Sequence, residues 1–145
     1  MLIAVLNGPN LNLLGQREPE VYGRTTLPEI EALVRDAARS HGVDVEWLQT
    51  NHEGALVDAV QGLRGRADGA LINAAALTHS SLALRDAVLA VRVPFVELHL
   101  SNIFAREPER RHSVIADLAI GLITGFGVQS YLLGLQGLVG RLRAG

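Results

Sequence analysis

Apolar and polar positions along the chain follow two alternating patterns, one typical of buried strands and one typical of helices. The first strand is predicted at residues 2–6, an unbroken apolar run that ends at Asn7-Gly8-Pro9. Similar short runs predict four more strands, at residues 43–48, 69–73, 93–100 and 118–124. Helical spacing of apolar residues predicts helices over residues 26–42, 56–63 and 82–91, and a last helix that ends near Arg141.

This alternation predicts an α/β fold with a parallel sheet that is covered by helices on both faces. Five strands in this rhythm favour a flavodoxin-like strand order, 2-1-3-4-5, and 145 residues are the size of one domain, 1–145. Residues 118–140 allow a different interpretation, because they carry no charge and are long enough to span a bilayer. They also contain six glycines, so a buried strand followed by a packed helix is preferred.

The composition excludes several kinds of chemistry. Cysteine is absent, which excludes disulfides, thiolate catalysis and cysteine-ligated metals. All 13 basic residues are arginine, so neither a Schiff-base lysine nor a P-loop lysine is available. A net charge of -2 and a pI of about 6.2 argue against a nucleic-acid or membrane-surface partner. The apolar start lacks a basic n-region and is not expected to be a secretory signal.

The polar loops of the chain are predicted to cluster at one edge of the sheet. In a doubly wound sheet, ligands bind beyond the carboxyl ends of the strands, near the point where the strand order reverses. The loops at that edge are residues 7–25, 73–80 and 99–112. Their polar residues are Asn7, Asn10, Asn12, Arg17, Tyr22, Asn73, Thr78, His79, His99, Ser101, Asn102, Arg106, Arg110, Arg111 and His112.

Glu97, His99 and Ser101 alternate at the end of the fourth predicted strand and are expected to point to one face. A carboxylate beside an imidazole orients the ring and stabilises its charged form, which suits a general acid. Two other interpretations stay open. The residues could be a solvated strand end, or part of a metal site, for which the chain offers no helix-spaced histidine pair.

Two groups of charged loop residues are further candidates for the cleft. Tyr22 follows Arg17 by five residues, and a guanidinium next to a phenol favours the phenolate, so Tyr22 is a candidate base or, alternatively, a loop anchor. Arg106, Arg110 and Arg111 follow the fourth strand and favour a site for a carboxylate or another oxyanion, the alternative being a solvated face.

Short motifs spread over nearly the whole chain resemble one known family. In order, they are NGPNLNLLG at residues 7–15, REP at 17–19, YG at 22–23, Asn73 with LTHSS at 77–81, ALRDA at 83–87, ELHLSN at 97–102 and ARE at 105–107. Together they resemble the type II 3-dehydroquinate dehydratases. Several motifs in register are a far more specific signal than one short pattern.

The resemblance implies a dehydration of 3-dehydroquinate to 3-dehydroshikimate by anti elimination through an enolate. Tyr22 resembles the base that removes the C2 proton, and Arg17 the residue that holds the phenolate and enolate charge. Asn10 resembles the residue that positions a water on the enolate oxygen. His99, oriented by Glu97, resembles the acid that protonates the departing C1 hydroxyl.

The resemblance also implies how substrate is held and how subunits assemble. The substrate-binding residues it implies are Asn73, His79 and Arg110 for hydroxyls, Leu100 and Ser101 for the carboxylate, Arg106 in a lid loop, and Asp86, which reaches a neighbouring subunit's site. The family works without metal or cofactor and packs trimers into dodecamers. We therefore expect a cytoplasmic homo-oligomer, a hydro-lyase of the shikimate pathway of aromatic amino acid biosynthesis or of quinate breakdown.

Three residues depart from the family pattern. Ala75 stands where a glycine is usual, Phe104 where an imidazole is frequent, and Glu109 where an aromatic residue is common. The alternative to an enzyme is a flavodoxin-like binding or signalling module, which would need a phosphate loop or an acidic cluster at the strand ends. The first strand leads instead into Asn-Gly-Pro-Asn.

Overall fold

The chain forms a five-stranded parallel sheet, described here by a computed structural model that covers residues 1–145. The strands are β1 (Leu2–Asn7), β2 (Asp44–Gln49), β3 (Gly69–Asn73), β4 (Phe95–His99) and β5 (Gly121–Thr124). Their order in the sheet is β2-β1-β3-β4-β5, and every neighbouring pair is parallel. The predicted flavodoxin-like order is therefore confirmed.

Helices cover both faces of this sheet, as predicted. They are α1 (Pro19–Tyr22), α2 (Leu27–His41), α3 (Glu53–Gln61), α4 (Leu82–Val91) and α5 (Gln129–Arg143). Thr26 caps the start of α2, since its hydroxyl accepts from the Glu29 backbone N–H and donates to the Glu29 carboxylate. Gly42 ends the helix in a left-handed conformation, with φ 69°.

Several stretches differ from the sequence-based prediction. The helix predicted over residues 56–63 runs from Glu53 to Gln61, and the strand predicted over 93–100 is confined to Phe95–His99. Residues 7–25 lack any period in sequence, yet they include a 3₁₀ turn at Leu11–Leu13 and the short helix α1. The fifth strand begins only at Gly121, because Ala116–Leu118 forms a 3₁₀ turn instead of extended chain. No helix of the structure combines the length and apolarity that crossing a membrane requires.

The alternation of side chains along β1 divides the core into two layers. Ile3 and Val5 face the layer formed with α2 and α5, and Ala4 and Leu6 face the layer formed with α3 and α4. All four side chains are buried, as expected for a central strand with helices on both faces. The sheet is therefore fixed from both sides, and its carboxyl edge is the part left open.

A buried polar network lies beneath that open edge. The hydroxyl of Tyr131 on α5 donates to Asn7 Oδ1 at 2.6 Å and accepts from Asn73 Nδ2 at 3.0 Å. Asn7 Nδ2 donates in turn to the Leu48 carbonyl of β2, at 3.1 Å. Burial raises the pKa of Tyr131, so its hydroxyl keeps its proton. One helix is thus bonded to the ends of two strands, and through Asn7 to a third.

The network should contribute measurably to stability. Tyr131→Phe leaves the Asn7 oxygen without a donor and one Asn73 N–H without an acceptor. We expect the free energy of unfolding in denaturant to fall by about 1–3 kcal/mol, the usual cost of leaving buried polar groups unpaired. Tyr22→Phe is the matched control, because Tyr22 is half-buried beside solvent and should change it by less than about 0.5 kcal/mol. Equal losses in the two variants would contradict the role of the network.

Candidate active site

The carboxyl edge of the sheet carries a cleft lined by 15 residues, most of them polar. It opens beyond the ends of β1, β3 and β4, where the strand order reverses, as the sequence predicts. Ten of the predicted site residues line it, namely Asn10, Arg17, Tyr22, Asn73, His79, His99, Leu100, Ser101, Arg106 and Arg110. Glu97 lies behind this lining, and Asp86 lies outside the cleft.

Tyr22 lies between two guanidinium groups. Its hydroxyl oxygen is 2.8 Å from Arg106 Nη1 and 3.5 Å from Arg17 Nη2. The two guanidinium carbons are 5.2 and 4.8 Å from the centre of the phenol ring, within cation–π range. Two fixed cations at one phenol stabilise a negative charge on its oxygen, which is the state a general base needs.

His99 is held from behind by Glu97. The His99 Nε2 atom lies 2.6 Å from Glu97 Oε2, and the carboxylate is fully buried. The other carboxylate oxygen accepts a hydrogen bond of 2.6 Å from the Ser113 hydroxyl. A proton on Nε2 satisfies the carboxylate and leaves Nδ1 as the nitrogen that exchanges protons with a ligand. This arrangement suits an acid that must be charged before it acts.

Two asparagines present amides to the cleft. Asn10 adopts a left-handed conformation with φ 69°, its backbone N–H donates to Asn51 Oδ1, and its own side chain makes no hydrogen bond within the protein. Asn73 donates one N–H to Tyr131 and accepts from the Ala75 N–H at 3.2 Å, which leaves its second amide hydrogen for a ligand. The Tyr131 network therefore orients one of the two amides.

Backbone donors complete one wall of the cleft. The N–H groups of Leu100 and Ser101 make no hydrogen bond within the protein, although both residues line the cleft. The peptide units that carry these two N–H groups are held in place through their carbonyls. The His99 carbonyl accepts from the Gly125 N–H, and the Leu100 carbonyl accepts from the Gly127 N–H. Free backbone N–H groups beside arginines are the groups that bind a carboxylate.

His79 and His112 join two loops across the rim of the cleft. His79 Nδ1 lies 2.7 Å from the His112 carbonyl, and His112 Nε2 lies 2.7 Å from the His79 carbonyl. Burial lowers the pKa of His79, and the nearby His99 and Arg110 lower it further, so the ring is neutral at pH 7. With its proton on Nδ1, His79 keeps Nε2 as an acceptor for a ligand hydroxyl.

Several predicted polar residues lie elsewhere. Asn7 does not face the cleft but is buried beneath it, because its side chain bridges Tyr131 and the Leu48 carbonyl. Asn102 caps the 3₁₀ turn at Ile103–Ala105 instead of lining the cleft. Asp86 is exposed on α4. The structure contains no group of three or more histidine, aspartate or glutamate side chains arranged to hold a metal ion.

Sequence reasoning missed the apolar residues of the cleft. Leu11 and Ile103 are buried residues of the loops that line it, and the available signal was an apolar residue inside an otherwise polar motif. Ala75 also lines the cleft and has a φ of 52°, in the left-handed region that favours glycine. The departure from the family pattern at Ala75 thus falls at a position whose backbone conformation favours glycine.

A phenol and an imidazole that face one cleft, with free anion-binding groups beside them, are the kind of site that acid–base enzymes use, and here they stand on a flavodoxin-like sheet. The family described as Dehydroquinase class II matches residues 1–139, and the chain belongs to this family.

Similar proteins cover almost the whole chain. The 3-dehydroquinate dehydratase of a Nostoc species is 62% identical over 141 residues, which are 97% of this chain and 96% of the relative. The catabolic 3-dehydroquinase of Penicillium rubens is 55% identical over 134 residues, 92% and 86% of the two chains. The crystal structure of a type II dehydroquinase from Propionibacterium acnes is similar with a TM-score of 0.91, at 40% identity and 96% of each chain.

The strain at Ala75 can be measured. A left-handed conformation costs a non-glycine residue about 1–2 kcal/mol, and glycine loses about 0.5–1 kcal/mol more than alanine through chain entropy. Ala75→Gly should therefore leave the free energy of unfolding unchanged or raise it by up to about 1.5 kcal/mol. Ala76→Gly, next to it and exposed, should lower it by about 0.5–1 kcal/mol. A similar loss in both variants would show that the conformation of Ala75 costs nothing.

Proposed function

We propose that this chain is a hydro-lyase that dehydrates 3-dehydroquinate to 3-dehydroshikimate by anti elimination through an enolate, in a single catalytic domain of residues 1–145. The observation that carries the proposal is the pair of opposed groups in one cleft. Tyr22 is surrounded by positive charge and His99 is held by a negative charge, so the two are prepared for opposite proton transfers.

The first step is removal of the C2 proton by Tyr22. The C2–H bond breaks, the proton moves to the phenolate oxygen, and the electron pair delocalises into the neighbouring carbonyl as an enolate. Arg106 and Arg17 hold the phenolate before this transfer, and Arg17 then lies near the charge that forms on the substrate. The unpaired amide of Asn10 is available to position a water on the enolate oxygen.

The second step is departure of the C1 hydroxyl. The enolate pair forms the new C1–C2 double bond as the C1–O bond breaks, and His99 gives its proton to the leaving oxygen, which is released as water. The Glu97 carboxylate stabilises the imidazolium before this transfer and keeps the ring oriented. Proton exchange with solvent returns Tyr22 and His99 to their starting states.

Substrate is held by groups on the remaining walls. The free backbone N–H groups of Leu100 and Ser101, with the Ser101 hydroxyl, suit the substrate carboxylate. The substrate hydroxyls suit the amide of Asn73 and the neutral ring of His79. Arg110 lines the same cleft and serves the hydroxyls, while Arg106 belongs to the loop that closes over Tyr22.

We also propose that subunits assemble into trimers and these into a dodecamer that works in the cytoplasm, in aromatic amino acid biosynthesis or in quinate breakdown. Asp86 supports the assembly, because it lies exposed on α4, outside the cleft of its own chain. Apolar side chains are exposed at Leu89 on α4 and at Ile120 and Leu122 at the edge strand β5, and Leu89 and Ile120 line one surface depression. Such a surface is usually covered by a partner.

The role of Tyr22 is tested by Tyr22→Phe. The ring and its packing remain and the proton-accepting oxygen is lost, so we expect kcat to fall by roughly 10² to 10⁴ while the affinity for an enolate-like inhibitor changes little. The readouts are the absorbance of the enone product and calorimetry of inhibitor binding. Arg17→Lys should also lower kcat, because an ammonium does not reproduce the planar guanidinium.

Glu20→Gln is the control, since Glu20 is exposed on the same short helix and should leave kcat unchanged. Near-normal turnover by Tyr22→Phe would identify Tyr22 as a loop anchor and reject the proposed base.

Sedimentation equilibrium, measured in the buffer of the activity assay, tests the assembly. The expected particle has twelve times the 15.5 kDa mass of one subunit, and Asp86→Ala should lower kcat/KM without changing the cleft of its own chain. A fully active monomer would reject the assembly.

A further inference from the structure

We propose that Ser113 is a positioning residue that acts through Glu97 to keep His99 ready to donate its proton. The inference rests on the proposed acid role of His99. Ser113 does not line the cleft, and its side chain reaches the chemistry only through the buried carboxylate.

The need for Ser113 follows from the burial of Glu97. Its carboxylate has no exposed surface, so each oxygen requires a donor from the protein. Oε2 is bonded to His99 and Oε1 to the Ser113 hydroxyl, both at 2.6 Å. Without Ser113, one oxygen of a buried charge would have no partner, and the carboxylate would compete with the imidazole for the proton.

The Ser113 hydroxyl has its direction fixed by the backbone behind it. Its oxygen accepts from the N–H of Ile115 at 3.2 Å and from the N–H of Ala116 at 3.0 Å. With its lone pairs engaged by these two donors, the hydroxyl hydrogen is left to point at Glu97. The result is a line of hydrogen bonds from a backbone turn, through Ser113 and Glu97, to His99.

The turn itself is clamped to the rest of the fold. Arg85 on α4 donates to the Val114 carbonyl at 2.9 Å and forms a two-point ion pair with Asp117. The Val114 N–H donates to the Thr78 carbonyl at 2.8 Å. The segment that carries Ser113 is therefore fixed from two sides, as a positioning element must be.

The experiment compares Ser113→Ala in two backgrounds. In the otherwise unchanged enzyme, we expect kcat to fall about ten-fold or more with KM changed less than about two-fold. In the Glu97→Gln background, where no buried charge needs the hydroxyl, the same substitution should cost less than about two-fold in kcat. Ser113→Thr keeps the hydroxyl and should restore most of the activity.

Ser130→Ala is the matched control, because the buried Ser130 hydroxyl also accepts from a backbone N–H, that of Phe126, but does not touch Glu97. Its effect on kcat should be equal in the two backgrounds. If thermal unfolding shows that Ser113→Ala does not fold, Ser113→Cys replaces it, since the thiol fills the space but is a weak donor and should give the same loss in kcat.

Two results separate the possible failures. If His99→Ala leaves kcat unchanged, the acid role in the proposed function is wrong, and with it the basis of this inference. If His99→Ala lowers kcat but Ser113→Ala has an equal effect in both backgrounds, or no more effect than Ser130→Ala, the positioning role alone is overturned.

Discussion

The Tyr131 hydroxyl is the contact on which the geometry of the cleft depends. It is bonded to Asn7 at the end of β1 and to Asn73 at the end of β3, the two strands between which the order of the sheet reverses. Because the hydroxyl is fully buried, neither amide can exchange it for water. The β1–β3 ladder, which ends with the Gly8 N–H donating to the Asn73 carbonyl, holds the two strand ends together. One side chain from α5 then sets the direction of both amides, including that of Asn73 at the floor of the cleft.

Much of this fold was readable from the sequence, because a doubly wound sheet is encoded by short apolar runs that alternate with helical spacing. The limits of β3 and of α4 agree with the prediction, because Gly69 and Asn73 bound the apolar run of β3 and Ser81 caps α4. The roles of Asn7 and Ser113 were not readable, since each depends on a partner far away in sequence. Local sequence patterns indicate burial and turns, but they do not distinguish a polar residue that is buried beneath a cleft from one that faces into it.

The two ends of the proposed reaction are prepared by opposite charges. Tyr22, which must be anionic to accept a proton, has guanidinium groups beside it, and His99, which must be cationic to donate one, has a buried carboxylate behind it. Burial matters at the second site because Glu97 is shielded from water and salt, so its effect on the imidazole is not screened. At the cleft surface, the same carboxylate would hold the ring less firmly and would also repel an anionic substrate.

Because the chain has no lysine, every side-chain cation that lines this cleft, apart from histidine, is an arginine. Arginine keeps its charge even when it is partly buried, whereas a lysine in the same place can lose its proton, and the Arg106 side chain is only 17% exposed. The positive charges beside Tyr22 are therefore retained near pH 7. His79, by contrast, has its pKa lowered by burial and remains an uncharged acceptor across the cleft. The guanidinium groups therefore stay beside Tyr22 on one side of the cleft, and the buried carboxylate stays behind His99 on the other, so the two proposed proton-transfer groups lie in opposite electrostatic surroundings.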